Sequence, residues 1–237
     1  MTRPPQAVIL AGGQGLRLRA VVSDRPKPMA DVAGRPFLER LLARLEAGGI
    51  RRVVLCVGHM GEVVRTHFGD GSYLGLEIAY SEDPEPLGTG GALRKALPLF
   101  ETDPVLVLNG DSYCDVNPMT FFAWHVGHKA IGSLVLSYVQ DTGRFGRVRT
   151  SEDGLITQFD EKGYSKEGGW INAGVYLLSH DLIGSIPGDR SVSIEREVFP
   201  QWAGRGLYGY LHRGCFLDIG TPESLLEANR SFCARAQ

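Results

Sequence analysis

Short apolar runs alternate with segments of helical periodicity in the first half of the chain, and this alternation restricts the fold more than any other feature. The apolar runs cover residues 6–11, 52–57, 76–80 and 104–108. The helical segments between them cover residues 36–47, 61–68 and 89–97. Alternation of this kind predicts strand–helix–strand units, in which parallel strands lie side by side and helices cover both faces. The chain is therefore predicted to form a three-layer α/β/α sandwich around a Rossmann-like, mostly parallel sheet.

The second half of the chain is less regular than the first. Strands are predicted over residues 133–139, 146–150, 155–160 and 170–178, and helices over residues 194–203 and 222–234. The pair Asp153-Gly154 is a turn signal that joins two of these strands into a hairpin. No linker rich in Pro, Gly or Ser divides the chain, so a single domain over residues 1–237 is predicted.

The composition argues against several classes of protein. The formal net charge is −2, so no basic surface for nucleic acid or anionic lipid is expected. No apolar run approaches the roughly 20 residues of a membrane span, and MTRPPQAVIL lacks the long apolar stretch of a signal peptide. The four cysteines are far apart and form no CxxC pair, which argues against a metal or disulfide framework. These features favour a cytoplasmic protein.

A glycine-rich segment, LAGGQGLRLRAVVSDRPKP, follows the first predicted strand over residues 10–28. Open parallel sheets bind ligands at the carboxyl ends of their strands, and glycines there let backbone N–H groups converge on phosphate. The segment lacks the third glycine of a dinucleotide-binding GxGxxG and has no Walker A motif. It instead adds two cations, Arg17 and Lys27, which suit a triphosphate. The alternative is a surface turn with solvated charges.

The segment GGxGxRL followed by PKP resembles the signature of the sugar-1-phosphate nucleotidyltransferases. The resemblance continues through EPLGTGGAL, NGD, EK, NAG and DIGTPE, and so covers nearly the whole chain. Two positions depart from the usual signature: Leu16 stands in place of a threonine, and Arg19 stands near the usual proline. Neither substitution has a physical explanation in the sequence.

The resemblance is strongest to bacterial D-glycero-D-manno-heptose 1-phosphate guanylyltransferases. It implies that an NTP, GTP by preference, and a sugar 1-phosphate are joined to give an NDP-sugar and pyrophosphate, here GDP-heptose for capsule or lipopolysaccharide. Glu85 agrees with GTP, because one carboxylate can accept both neighbouring donors of the guanine edge. The alternatives are a uridylyltransferase acting on an N-acetylated sugar 1-phosphate and a catalytically silent nucleotide-sugar-binding protein. A homodimer is compatible with the sequence.

The resemblance also implies which residues form the site. Arg17, Lys27 and Asp111 are the implied catalytic residues: Arg17 on the departing pyrophosphate, Lys27 near the α-phosphate, and Asp111, with Asp218, on Mg²⁺. The implied nucleotide-binding residues are Leu10, Ala11, Gly12, Gly13, Gly15, Glu85, Gly88 and Thr89. The implied sugar-phosphate-binding residues are Asn109, Gly110, Glu161, Lys162, Asn172 and Gly174. The nucleotide site is assigned to about residues 1–115 and the sugar site to about residues 116–237.

Two further expectations concern the chemistry of this site. Asp115, four residues after Asp111, is expected to cap a helix or to support the site from outside. No catalytic base is expected, because the phosphate of the sugar 1-phosphate is already an anion at neutral pH. The six histidines form no clear set, which agrees with a reaction that depends on positioning and on charge neutralisation.

Overall fold

The computed structural model describes residues 3–18, 21–160, 163 and 167–235. Within these residues the strands are β1 (Ala7–Leu10), β2 (Asp31–Val32), β3 (Arg35–Pro36), β4 (Arg52–Val57), β5 (Glu77–Glu82), β6 (Val105–Asn109), β7 (Ser112–Cys114), β8 (Gly132–Val139), β9 (Val148–Thr150), β10 (Ile156–Phe159), β11 (Gly169–Leu178), β12 (Leu207–His212) and β13 (Phe216–Asp218). The α-helices are α1 (Phe37–Ala47), α2 (Gly61–Phe68), α3 (Gly88–Ala96), α4 (Pro118–His128), α5 (His180–Gly184), α6 (Phe199–Trp202) and α7 (Pro222–Arg235).

Seven of the described strands form the central sheet, in the order β12-β8-β11-β6-β1-β4-β5. Neighbouring strands are parallel except where β11 runs antiparallel to β6 and β8. Alternate residues of β1 enter two different cores: Ala7 and Ile9 lie in one, and Val8 lies in the other. The sheet is therefore covered on both faces, and the predicted three-layer, mostly parallel architecture is confirmed.

The pattern of leucines explains how α1 forms and where it packs. Leu38, Leu41, Leu42 and Leu45 are all buried in one core, as their helical spacing predicts. The helix ends at Gly48, whose amide donates to the carbonyl of Arg44 at 3.1 Å. In the described part of the chain, no helix combines the length and hydropathy that a membrane crossing requires.

Several elements differ from the sequence predictions, among them the short strands β2, β3, β7 and β13 and the short helix α5, which were not predicted. Helix α4 and edge strand β12 were not predicted; α4 has a strong start signal in Asn117, whose side chain accepts from two backbone amides at 3.0 Å. The helix predicted over residues 194–203 is a π-helical turn, Ile194–Val198, followed by α6. Pro200 has no N–H for a continuous α-helical ladder, which accounts for the change of register at this point.

The burial of His125, on α4, predicts that the free energy of unfolding depends on pH. It is 4% exposed, its Nδ1 lies 2.8 Å from Ser133 Oγ, and burial lowers its pKa from 6.5 to about 4. As the pH falls, the His125 imidazole is protonated near pH 6.5 in the unfolded chain but only near pH 4 in the folded chain. The free energy of unfolding therefore has its full value above pH 6.5 and decreases between pH 6.5 and 4. We expect about 3 kcal/mol of unfolding free energy to be lost across this window.

Denaturant unfolding at a series of pH values tests this expectation. The free energy of unfolding is plotted against pH for the wild type and for His125→Gln. The difference between the two slopes is due to the histidine, because the carboxylates titrate in both proteins. Equal slopes between pH 6.5 and 4 would show that His125 is not the group responsible.

Candidate active site

The carboxyl ends of β1, β4 and β6 meet at one edge of the sheet, where close backbone contacts require glycine. The amide of Gly110 donates to the carbonyl of Leu10 at 2.9 Å. A Cβ on Gly110 would lie 2.7 Å from that oxygen, and a Cβ on Gly58 would lie 2.9 Å from the carbonyl oxygen of Gly12. These glycines therefore bring the loops that follow the three strands into direct contact.

The glycine-rich loop after β1 is anchored at its end and open at its tip. Leu18 is 1% exposed, and its amide donates to the carbonyl of Gly15 at 2.9 Å. Gly15 has φ +59°, and a Cβ there would lie 2.9 Å from Lys27 Cβ. Among described residues, the amides of residues 12–17 donate no hydrogen bond to another backbone group. The loop thus presents amides that a phosphate can accept from.

The two unusual positions of this loop have different outcomes. Leu16 is 64% exposed, and nothing in the structure explains why it replaces a threonine. Arg19 lies outside the described residues.

A cleft of about 460 Å³ opens between the glycine-rich loop and the segment that precedes α3. Of the predicted site residues, it is lined by Leu10, Gly12, Gly13, Glu85, Gly88, Thr89, Asn109 and Asp111. Gly88 has φ +70°, and a Cβ there would lie 2.4 Å from the carbonyl oxygen of Val192. The amide of Gly90 donates to the same oxygen at 2.8 Å. This wall of the cleft is therefore fixed against a segment distant in sequence.

Two carboxylates at this wall have different surroundings. Glu85 is exposed and lines the cleft, where it can meet a ligand. Asp83 is 7% exposed at its side chain and lies 3.2 Å from Lys95 Nζ. Burial raises the pKa of Asp83, and Lys95 opposes that change. Both carboxylates line the cleft, and Glu85 is the more exposed of the two.

Lys27 and Asp111 form an ion pair at the mouth of the cleft. Lys27 Nζ lies 2.6 Å from Asp111 Oδ2, and their side chains are 11% and 41% exposed. A 3-10 turn over Lys27–Met29, with Pro28 and Met29 buried, fixes the lysine backbone. Ser112 Oγ donates to the other carboxylate oxygen of Asp111 at 3.2 Å. The structure thus brings together two residues that the sequence separates by 84 positions.

Asp218 lies on the strand next to Asp111. Strands β7 and β13 form an antiparallel ribbon in which Ser112 pairs with Asp218, and the amide of Ile219 donates to the carbonyl of Asp111 at 3.0 Å. Asp218 Oδ2 accepts from the amide of Gly220 at 2.8 Å and lies 3.2 Å from Arg144 Nη2. Sequence reasoning missed Arg144, because a lone arginine in a loop carries no pattern.

Arg17 lies beside the same carboxylate. A Cβ placed on Gly220 would be 2.7 Å from Asp218 Oδ2 and 3.8 Å from Arg17 Nη2. The structure therefore brings Arg17, Asp218 and Arg144 to one corner, next to the Lys27–Asp111 pair.

A polar network lies behind the cleft on β11. The pairing of β11 with β8 is irregular between Asn172 and Tyr176. Asn172 Nδ2 donates to the Tyr176 hydroxyl at 2.9 Å, and Asn172 Oδ1 accepts from the amide of Gly174 at 2.9 Å. Gly174 has φ +74°, and a Cβ there would lie 3.1 Å from Asn109 Nδ2. Burial raises the pKa of Tyr176 well above 10, with a smaller contribution from Glu195, so its hydroxyl stays neutral.

Glu195 joins this network to the cleft. One of its carboxylate oxygens accepts from Thr89 Oγ1 at 2.7 Å, and the other accepts from Asn109 Nδ2 at 3.4 Å. Sequence reasoning missed Glu195, because a single glutamate in a predicted helix gives no signal of its own. The contact with Thr89 spans 106 positions and exists only in the fold.

The remaining predicted residues lie around the cleft or beyond the described residues. Ala11, Gly15 and Gly110 belong to the same loops but do not line the cleft, and Asn172 and Gly174 lie behind it. Glu161 and Lys162 lie outside the described residues. Asp115 does not cap α4, whose cap is Asn117; it accepts instead from His212 Nε2 at 2.7 Å.

Comparisons with known proteins agree with this architecture. A family model described as nucleotidyl transferase matches residues 6–235. The mannose-1-phosphate guanylyltransferase of Mycobacterium tuberculosis is 38% identical over 96% of this chain, which spans 64% of that protein. The D-glycero-alpha-D-manno-heptose 1-phosphate guanylyltransferase of Aneurinibacillus thermoaerophilus is 37% identical over 95% of this chain and 97% of its own.

A solved structure, HddC from Yersinia pseudotuberculosis complexed with GMP-PN, superposes with a TM-score of 0.86 and 32% identity. The match covers 96% of this chain and 99% of HddC. Together with the relatives, it confirms the resemblance and the fold that the sequence predicts. The chain belongs to the nucleotidyl transferase family.

Proposed function

We propose that this protein transfers a guanylyl group from GTP to a sugar 1-phosphate, giving a GDP-sugar and pyrophosphate. The observation that carries the proposal is the Lys27–Asp111 pair at the mouth of a cleft lined by the glycine-rich loop and by Glu85. Relatives named guanylyltransferases support the choice of GTP. The silent-binder alternative is disfavoured, because Arg17, Lys27 and Asp111 are all present and Lys27 pairs with Asp111.

D-glycero-α-D-manno-heptose 1-phosphate is the sugar that we propose first. Two relatives with this name, at 37% and 36% identity, are matched over 97% and 96% of their own lengths. Mannose 1-phosphate is the second candidate, because a relative named for that sugar is 38% identical. A role in capsule or lipopolysaccharide synthesis stays a prediction.

The proposed reaction needs no side-chain base. A phosphate oxygen of the sugar 1-phosphate attacks the α-phosphorus of GTP, and the bond between that phosphorus and the bridging oxygen breaks as pyrophosphate leaves. Loop amides and Arg17 would bind the β- and γ-phosphates, and Lys27 would hold the α-phosphate. Charge neutralisation and alignment are the main contributions that proteins make to such transfers.

The donor set around Asp111 and Asp218 fits Mg²⁺, which prefers hard oxygens and commonly uses one or two carboxylates. Asp218 ends β13, Asp111 immediately precedes β7, and the two strands pair. The 41% exposure of the Asp111 side chain leaves it accessible from the cleft. A bound Mg²⁺ would supply positive charge to the phosphates. In this structure Lys27 pairs with Asp111 and Arg144 pairs with Asp218. We propose that both cations leave these carboxylates and bind phosphate oxygens when GTP binds.

The sugar is proposed to occupy the side of the cleft at Asn109 and Glu195. Asn109 Oδ1 is buried and has no hydrogen-bond partner among the described residues, so it can accept from a ligand hydroxyl. Glu195 offers further acceptor oxygens at the same wall. The roles of Glu161 and Lys162 in binding the sugar and its phosphate stay predictions. The assignment of the nucleotide site to about residues 1–115 and of the sugar site to about residues 116–237 also stays a prediction, as do the homodimer and the cytoplasmic location.

Pyrophosphate release tests this proposal directly. GTP, UTP, CTP, ATP and dTTP would each be combined with D-glycero-α-D-manno-heptose 1-phosphate, mannose 1-phosphate or N-acetylglucosamine 1-phosphate, with Mg²⁺. We expect the GTP–heptose pair to give the highest kcat/KM. One methylene-sized difference in a pocket is worth about 10–200-fold, so mannose 1-phosphate should be poorer by a factor in that range.

Three results would contradict parts of the proposal. Release only with UTP would exclude the guanylyltransferase and support the uridylyltransferase alternative. A higher kcat/KM for mannose 1-phosphate than for the heptose would replace the sugar. No release with any pair, from protein that melts cooperatively, would exclude the enzyme.

A further inference from the structure

A second group of metal-ligand side chains lies at the far end of the β7–β13 ribbon, beyond the proposed Mg²⁺ site. One ligand atom each of Cys114, Asp115 and His212 lies within 4.8 Å of the others. Cys114 is the last residue of β7, and His212 is the last residue of β12. The sequence argues against a metal framework because its cysteines are far apart, whereas the fold places one of them beside a histidine and an aspartate.

The loop between β12 and β13 is shaped around these side chains. A Cβ on Gly214 would lie 2.1 Å from Asp115 Oδ1 and 2.2 Å from His212 Nε2. Any other residue at position 214 would therefore fill the space that these two atoms face. Arg44 Nη2 donates to the carbonyl of Val116 at 3.1 Å and also to that of Asp115. The backbone that carries Asp115 is thus held in place.

The chemistry of the three side chains selects one class of ion. A thiolate is a soft ligand that favours Zn²⁺ over Mg²⁺, and imidazole and carboxylate complete a common zinc set. Asp115 Oδ1 and His212 Nε2 lie 2.7 Å apart, whereas two such ligands on one tetrahedral ion lie about 3.3 Å apart. Opening this contact by roughly 0.6 Å would admit the ion.

We propose that Cys114, Asp115 and His212 form a site for a thiophilic divalent cation such as Zn²⁺, separate from the Mg²⁺ site at Asp111 and Asp218. Water would complete the coordination. The site joins the end of β7 to the end of β12, two segments that meet only in the fold. Its occupancy would therefore stabilise the β7–β13 ribbon, which Asp111 precedes and Asp218 ends, without taking part in nucleotidyl transfer.

Cobalt spectroscopy distinguishes this site from the catalytic one. The chelator-treated protein would be titrated with Co²⁺ in the presence of excess Mg²⁺, which occupies the carboxylate site at Asp111 and Asp218. A thiolate-to-cobalt charge-transfer band then reports the cysteine site, because carboxylates alone give no such band. We expect such a band to saturate at one Co²⁺ per chain and to disappear when Zn²⁺ is added. Zn²⁺ at a hundred times its Kd should raise the thermal midpoint by about 5–10 °C.

Variants identify the ligands. Cys114→Ser should abolish the charge-transfer band and the thermal shift, and His212→Gln should weaken Co²⁺ binding at least tenfold. Cys233→Ser, at an exposed thiol on α7, and Cys215→Ser, on the loop next to β13, are the matched controls and should keep the band. Absence of the band in the wild-type protein would overturn the proposal, as would a band that follows Cys215 or Cys233 instead of Cys114.

Discussion

Replacing Asp111 with asparagine should lower kcat at least a thousandfold while the protein stays folded. The change removes the negative charge that would hold Mg²⁺ but keeps the size of the side chain and its ability to accept from Lys27, 2.6 Å away. Loss of one such electrostatic contact at a reacting phosphate costs about 10²–10³, and loss of the metal itself adds to that. The measurement is the initial rate of pyrophosphate release with saturating GTP, sugar 1-phosphate and Mg²⁺.

A matched control uses an ion pair at the opposite end of the sheet. Glu101 pairs with Arg3 at 3.0 Å and also with Arg52 at the start of β4, away from the cleft. Glu101→Gln should keep kcat within twofold of the wild type, because exposed pairs of this kind contribute little. Wild-type kcat in Asp111→Asn would mean that this carboxylate does not hold the metal.

The position of the site could be predicted from the sequence because parallel strands bring their carboxyl ends to one edge. The glycine-rich loop follows β1, and Asn109-Gly110-Asp111 follows β6, the strand adjacent to β1 in the sheet. Once the alternation of strands and helices is recognised, both loops are expected at the same edge of the sheet. That the two loops are direct neighbours follows from the strand order, which the sequence alone does not predict.

Contacts made by single side chains could not be predicted in the same way. Glu195 reaches Thr89 and Asn109 from a π-helical turn, and the sequence there predicts an ordinary helix. Arg144 reaches Asp218 from a loop. A charged residue in a helix or loop is usually solvated. Its bonding partner can therefore be identified only from the folded structure, in which tertiary packing brings the two side chains together.

The group formed by Cys114, Asp115 and His212 shows the same limit for metal chemistry. Sequence rules for zinc depend on short spacings within one segment, whereas Asp115 and His212 are 97 positions apart. Strand β12, which carries His212, was not predicted, because its sequence LYGYLH is short, contains a glycine and buries only two residues. Only the contact between His212 and Asp115 in the folded chain shows that β12 ends beside the ribbon.

Replacing Lys27 with methionine should lower kcat about 10²–10³-fold and, in contrast to Asp111→Asn, reduce the Mg²⁺ concentration needed for half-maximal rate. Lys27 Nζ occupies one oxygen of Asp111 in an ion pair that is 11% exposed on the lysine side. Removing the ammonium takes away a cation for the α-phosphate, but it also frees that oxygen for Mg²⁺. Methionine keeps the unbranched stem that packs against Gly15, so the loop should hold its shape.

The lower kcat reports the role of Lys27 at the α-phosphate, and the lower Mg²⁺ requirement reports its competition for Asp111. Measuring the rate as a function of Mg²⁺ concentration gives both quantities. Arg52→Met, which breaks the pair with Glu101 at the other end of the sheet, should change neither kcat nor the Mg²⁺ requirement beyond twofold. A lower kcat with an unchanged Mg²⁺ requirement would mean that Lys27 acts on the phosphate alone and does not compete for Asp111. An unchanged kcat would remove Lys27 from the proposed mechanism.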